Sequence, residues 1–362
     1  MYPFMPKKAF EWKHDMAYGV ARDPGTKKII GLNGYSERGI SAYDLGGTRG
    51  IKDIVPEFLF LGDTYRDTLN DIFHFRYFHK LCDRLYTEGY EDYKNLVGIP
   101  YDFRLVLDPA YRTWLFDVFR VFLEDVRQRN GGLPAVVVTH SLGGILLKWF
   151  LEGETAEWIE ENISKIVMIS PPFGGASFAL RAVMSGDHYI KMFHKTAKEE
   201  LQRNSGIIMC LPNEAGDGKF IIDRPKAIRG TGENLMGALN HRSYGDLAST
   251  MLPFEIWRDL YEPYLRPMIL RPMRADLSKK LVQIVISSAR ETAVGYVSEG
   301  TDIYPHTEIK GLGDGVLSNK SLQSAMKIFP NAKILDALDV DHTRLVSDDR
   351  VIRSILDAAK ER

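Results

Sequence analysis

The sequence predicts an α/β fold, a mostly parallel sheet flanked by helices with a cap inserted into it. Three observations lead there. The runs AVVVT (135–139), KIVMIS (165–170) and LVQIVIS (281–287) are apolar throughout rather than alternating, as in strands buried on both faces. Amphipathic helical patterns fall between such runs. The alternation then breaks from Pro171 to about Lys280 and afterwards resumes.

Taken in order, YFHKLCDRLYTEGY (77–90) spaces Phe78, Leu81, Cys82 and Leu85 on one helical face, with Gly89 as its stop. KNLVGIPYDFRL (94–105) reads as a short apolar strand ending at Pro100. AYRTWLFDVFRVFLEDVRQRN (110–130) is a long helix with Leu115, Val118, Phe119 and Phe122 on its apolar face. Strand 135–139 follows, then a helix to about Glu152, then strand 165–170. The segment 171–280 is rich in prolines and aromatics and reads as the cap. AKILDALD (332–339) supplies a further strand and 348–361 a closing helix. A sheet interrupted by a cap and then completed is the arrangement of an α/β-hydrolase. The expected division is residues 1–170 and 281–362 as two parts of the core, with 171–280 between them.

Composition narrows the function classes. The 362 residues carry 47 basic and 48 acidic side chains, a net charge of -1, so no basic excess points to nucleic acid. No apolar run reaches the length of a transmembrane helix, and MYPFMPKKAFEWKHD lacks the apolar centre of a secretory signal. Two cysteines, Cys82 and Cys210, allow one bridge at most and fix no compartment. The localisation stays open. Neither H-E-x-x-H nor paired-cysteine spacing is present, so no metal or other cofactor is expected.

The chemistry centres on VVVTHSLGGILLKWF (136–150). A strand runs into a tight turn and a helix begins at once, which would lift the Ser141 side chain above the sheet. The N–H of Leu142 would then face a developing oxyanion. A serine hydroxyl needs a base, and the base needs a third group to orient it. In this fold they follow as acid, then histidine. Asp314, in GLGDGVLSNKSL (311–322), is the candidate acid, although taken alone it is better explained as a solvated Asp-Gly turn. The G-x-G-x-G spacing there also suggests phosphate binding, without the strand-to-helix unit that would support it. His342, in DVDHTRLVSDD (339–349), lies beyond the last strand, where the base belongs. Thr139 occupies the place of a small residue, and fits there only if its side chain points away from the helix.

Several stretches together resemble the lecithin:cholesterol acyltransferase family, which includes lysosomal phospholipase A2 and phospholipid:diacylglycerol acyltransferases. HSLGGILLKWFL looks like its elbow and following helix. IPYDFRL (99–105) is similar to its Ala-Pro-Tyr-Asp-Trp-Arg stretch, and ISPPFGGA (169–176) to Gly-Ala-Pro-Trp-Gly-Gly, with phenylalanine for tryptophan in both. AVMSGD (182–187), GDGVLSNKSL and DHTRLVSD resemble three later segments in the same order. The resemblance implies Ser141 as nucleophile, Asp314 as orienting acid and His342 as base. It also implies Leu142 as an oxyanion donor.

The implied reaction takes an acyl chain from a glycerophospholipid through an acyl-serine to a sterol, diacylglycerol or water. The implied partners are phospholipid and lipid alcohol substrates at a membrane or lipid-particle surface. The aromatics Phe254, Trp257, Tyr261 and Tyr264 read either as a lipid-facing cap surface or as cap core. The sequence departs from the family near its start, where a strand ending in Val-Pro-Gly supplies the second oxyanion N–H. YDLGGTRGIKDI (43–54) resembles a later Pro-Gly-Phe-Gly segment, so the first strand is expected to be missing; KKIIGLNGY (27–35) is a possible substitute through Asn33 and Gly34. The competing expectation is therefore a catalytically weak lipid-binding relative, or an N-terminally truncated product.

Overall fold

A computed structural model describes residues 77–101, 103, 106–107, 109–179, 182, 204–213, 215–216, 221–224, 240–242, 264–273, 281–299 and 305–360. Helices α1 (His79–Thr87) and α2 (Pro109–Arg129) precede strand β1 (Ala135–His140). Helices α3 (Leu142–Glu152) and α4 (Ala156–Asn162) lead to β2 (Ile163–Ile169). The middle of the chain contributes α5 (Ser205–Met209), β3 (Ile221–Arg224), β4 (Asn240–Arg242) and α6 (Arg266–Leu270). Then come β5 (Leu281–Ile286), β6 (Arg290–Glu299), β7 (Pro305–Gly313), α7 (Asn319–Ile328) and β8 (Lys333–Asp336). A 3-10 helix (His342–Ser347) and α8 (Asp349–Lys360) end the described chain.

Four strands form a wholly parallel sheet in the order β1-β2-β5-β8. Its apolar strands are explained by two cores. Ile166 and Met168 of β2 and Ile284 of β5 pack with Leu115 of α2 and Ile145 and Phe150 of α3. Their neighbours Val167, Ile169 and Val285 point the other way, against Leu81 and Leu85 of α1 and Ile352, Ile355 and Leu356 of α8. Period-two side-chain alternation with both faces covered requires apolar residues at every position. This is the α/β-hydrolase type of sheet.

A second four-stranded sheet, β4-β3-β6-β7, was not anticipated. It joins β3 and β4, from the segment read as cap, to β6 and β7, which follow the parallel strand β5. The helix α4 was also unanticipated, and it is capped by Thr155 Oγ1 accepting from the N–H of Trp158. The expected strand ending at Pro100 does not form. Residues 94–101 make one bridge, Asp92 to Leu96. Local bonds win there: Glu91 N–H donates to Asn95 Oδ1 at 2.7 Å, and Tyr93 sits at φ 61°. Those turns use the backbone groups a ladder would need.

Helix α3, which follows Ser141, is tied to α6, which lies within the stretch 171–280. Lys148 of α3, with no exposed surface, donates to Glu152 at 2.6 Å and to the carbonyl of Met268 in α6. Glu152 in turn accepts from Arg271 just beyond α6. Burial pushes the Glu152 carboxyl up, but the hydrogen bonds and charges of Arg271 and Lys148 outweigh this and leave it below its ordinary value. Removing one side of a buried pair leaves the other desolvated. Lys148→Ala should therefore lower the unfolding free energy by about 3 kcal/mol, read from a urea melt.

Candidate active site

Ser141 closes β1 and opens α3 at φ 51° and ψ -126°. That is a strained conformation for a residue with a Cβ, and it is held from both sides. Its N–H donates to the carbonyl of Ile169 at 2.9 Å, extending the β1–β2 ladder by one bond, while its carbonyl accepts from Gly144 N–H at 2.9 Å. A Cβ on Gly144 would lie 2.7 Å from Pro171 Cβ, so only glycine lets α3 approach the loop after β2. Leu142 is the first residue of α3, where N–H groups have no partner within the helix.

Thr139 corrects an expectation. Its side chain faces α3 rather than away from it: a Cβ on Gly143 would lie 3.4 Å from Thr139 Cβ, and one on Gly144 3.8 Å from Thr139 Oγ1. The room that a small residue usually provides comes here from the two glycines on the helix side.

Asp314 and His342 meet in the interior. Asp314 has no exposed surface and His342 is 6% exposed. His342 Nδ1–H donates to Asp314 Oδ2 at 2.7 Å, and the backbone N–H of His342 donates to the Asp314 carbonyl at 2.8 Å. Asp314 Oδ1 accepts from the N–H groups of Leu317 at 2.7 Å and Val316 at 2.9 Å. The hydroxyl of Ser170 donates to Oδ2. Burial alone would raise this carboxyl, but the facing imidazole and these donors more than offset it, and the group is held below its ordinary value of 3.8. The glycines around Asp314 serve a tight turn. Gly315 lies at φ +92°, and a Cβ on Gly313 would fall 1.9 Å from the Leu317 carbonyl oxygen. That accounts for the spacing without a phosphate.

His140, the residue before the serine, joins this group. Its Nε2–H donates to the carbonyl of His342 at 3.0 Å, so Nδ1 is the acceptor and receives the phenol of Tyr77. The His140 and His342 ring centroids are 4.6 Å apart. Ser141 thus reaches the His342 segment through its neighbour, and no hydrogen bond joins Ser141 Oγ to His342 among the described residues. Sequence reasoning singled out neither Tyr77, Ser170 nor His140 for these bonds, because each depends on a partner at least 63 positions away.

Ser141, Leu142, Tyr77, Tyr101 and Phe103 line part of a cavity of about 1500 Å³. Burial pushes up the Tyr101 phenol and raises the Cys210 thiol to about 12, so neither ionises at neutral pH. Cys82 and Cys210 are both free thiols. Tyr264 is 68% exposed. Phe254, Trp257, Tyr261, Asn33, Gly34 and the stretches 27–35, 43–54 and 183–187 lie outside the described residues. Among the described residues no cluster of three or more His, Cys, Asp or Glu side chains could hold a metal, and no helix is long and apolar enough to cross a membrane.

Burial, followed by the proximity of His342, holds the His140 imidazole well below its ordinary value of 6.5. Below pH 6.5 the unfolded chain therefore binds a proton that the folded chain does not. Stability should fall as the pH drops through that range, with this residue contributing up to ~1.4 kcal/mol per pH unit. Urea melts at a series of pH values should show a flatter dependence for His140→Gln. Equal slopes would mean that His140 is not the group held neutral.

The family model described as lecithin:cholesterol acyltransferase matches residues 66–248. The chain is 32% identical over 131 residues to the lysosomal phospholipase A and acyltransferase of Bos taurus, covering 36% of this chain and 31% of that protein. The Homo sapiens protein of the same name is 33% identical over 112 residues, covering 31% of this chain and 26% of the relative. The matched segment thus spans under a third of either lysosomal relative. Lecithin-cholesterol acyltransferase-like 1 of Arabidopsis thaliana is 25% identical over 334 residues, covering 86% of this chain and 72% of that one. With half of the sequence matched by the family model, this chain belongs to the lecithin:cholesterol acyltransferase family.

Proposed function

We propose that the protein is a serine-dependent lipid acyltransferase or phospholipase A that acts on glycerophospholipids through an acyl-serine. The observation that carries this reading is the buried Asp314–His342 pair, lying beside a strained strand-to-helix serine on one edge of a parallel sheet. With Nδ1–H given to Asp314, His342 Nε2 is the nitrogen left to act as base. It would take the Ser141 proton as Oγ attacks the ester carbonyl, and Leu142 N–H would donate to the resulting oxyanion. His342 would then return the proton to the departing lysolipid oxygen. A sterol, diacylglycerol or water would next give its proton to His342 and remove the acyl group from Ser141. Each step balances with no cofactor. The cap, expected within 171–280, would meet the lipid surface, with phospholipid and lipid alcohols as the partners.

The second reading is a catalytically weak, lipid-binding relative. It is favoured by the lack of a Ser141–His342 hydrogen bond, although such bonds are often long in unliganded hydrolases and tighten with substrate. A fluorophosphonate probe separates the two. Intact-mass spectrometry should show one adduct on the parent protein and none on Ser141→Ala, whose ester turnover should fall by ~10⁴–10⁶. A folded parent that takes up no probe would leave only the binding reading. Acyl transfer from phospholipid vesicles with and without added sterol or diacylglycerol would then identify the acceptor.

A further inference from the structure

We propose that the Ile169–Ser170 step fixes the spacing between nucleophile and acid, and that Ser170 is a positioning residue acting through Asp314. The inference rests on the assignment of Ser141, Asp314 and His342 above. Two adjacent residues hold both ends of that set. The Ile169 carbonyl accepts the N–H of Ser141 at 2.9 Å, and the Ser170 hydroxyl donates to Asp314 Oδ2. That oxygen also accepts from His342 Nδ1–H.

Ser170 is built for this place at a conformational disadvantage. It lies at φ 49°, where a Cβ crowds its own backbone, and it precedes Pro171, which narrows the accessible conformations further. It is fully buried, and its N–H donates to the Val285 carbonyl at 2.8 Å, so the strained unit is pinned to the central strand β5. Glycine would carry no such strain at this position. What serine adds is the hydroxyl.

The other donors to the carboxylate, Val316 and Leu317 N–H, belong to the same turn as Asp314 and bind Oδ1. They hold the carboxylate within its own loop. Among the described residues, the Ser170 hydroxyl is the donor that ties it to the parallel sheet on which Ser141 stands. Removing it leaves Oδ2 with the His342 bond and frees the loop to shift relative to the nucleophile.

The test measures kcat and KM on a p-nitrophenyl ester, together with the fluorophosphonate labelling rate, for Ser170→Gly and Ser170→Ala. Each is made in the parent and in Asp314→Asn. Ser170→Gly relieves the backbone and should melt no lower than the parent. Both variants should nevertheless lose about tenfold in kcat and labelling rate with KM unchanged. In Asp314→Asn the same substitutions should add no further loss, because the hydroxyl acts through the carboxylate. A folded Ser170→Gly with parental kcat, or equal losses in both backgrounds, would overturn the proposal. Parental turnover by Asp314→Asn alone would overturn it differently, by removing Asp314 from the chemistry altogether.

Discussion

The hydrogen bond between Asp314 and His342 is the interaction around which the C-terminal edge of the parallel sheet is arranged. A carboxylate with no exposed surface is tolerable only when its lone pairs are satisfied. Here they are met by backbone donors from its own turn, by a serine just after β2, and by the imidazole. A second, backbone hydrogen bond from His342 N–H to the Asp314 carbonyl locks the two loops together along the main chain. An acid delivered after β7 and a histidine delivered after β8 become one unit.

Strain is concentrated at the same edge. Ser141 after β1, Ser170 after β2 and Leu338 after β8 all have positive φ, at 51°, 49° and 59°. Each is held by bonds to a neighbouring segment: Ser141 to Ile169, Ser170 to Val285, and the Leu338 carbonyl to Ala289 N–H. Sharp turns at the ends of these parallel strands lift their next residues above the sheet rather than along it. The stored strain is small beside the two packed cores that hold the strands in place, and such residues cluster at functional sites.

His140 gives the edge a second layer. A neutral imidazole that donates to the His342 carbonyl and accepts from Tyr77 joins α1's approach, the nucleophile turn and the histidine segment. Lys148, Glu152 and Arg271 do the corresponding work on the far side of α3, joining it to α6 and the residue just after it. The helix behind the serine is thus anchored at its start by a turn and in its second half by charge. In a lipid-acting member of this family, such anchoring would keep the serine in place while neighbouring apolar walls accommodate an acyl chain.

The local pattern of the sequence determined the parallel strands, the helices α1, α2, α3 and α8 and the turn at Ser141. Continuous apolar runs, helical spacing and a Gly-Gly after the serine each depend on neighbours within a few positions. The order Ser141, Asp314, His342 was legible too, since each follows a strand. The second sheet was not, because β3 pairs with β6 across a separation of 75 positions, Ile221 with Tyr296, and β-pairing leaves little local trace. Stretch 94–101 misled because its apolar residues suit a strand while its turn bonds do not. Only the tertiary structure decided which way Thr139 faces and that His140 is neutral. It alone placed a strained Ser170 against the acid. Those properties arise where segments far apart in sequence exclude water together, so no single stretch of the chain contains them.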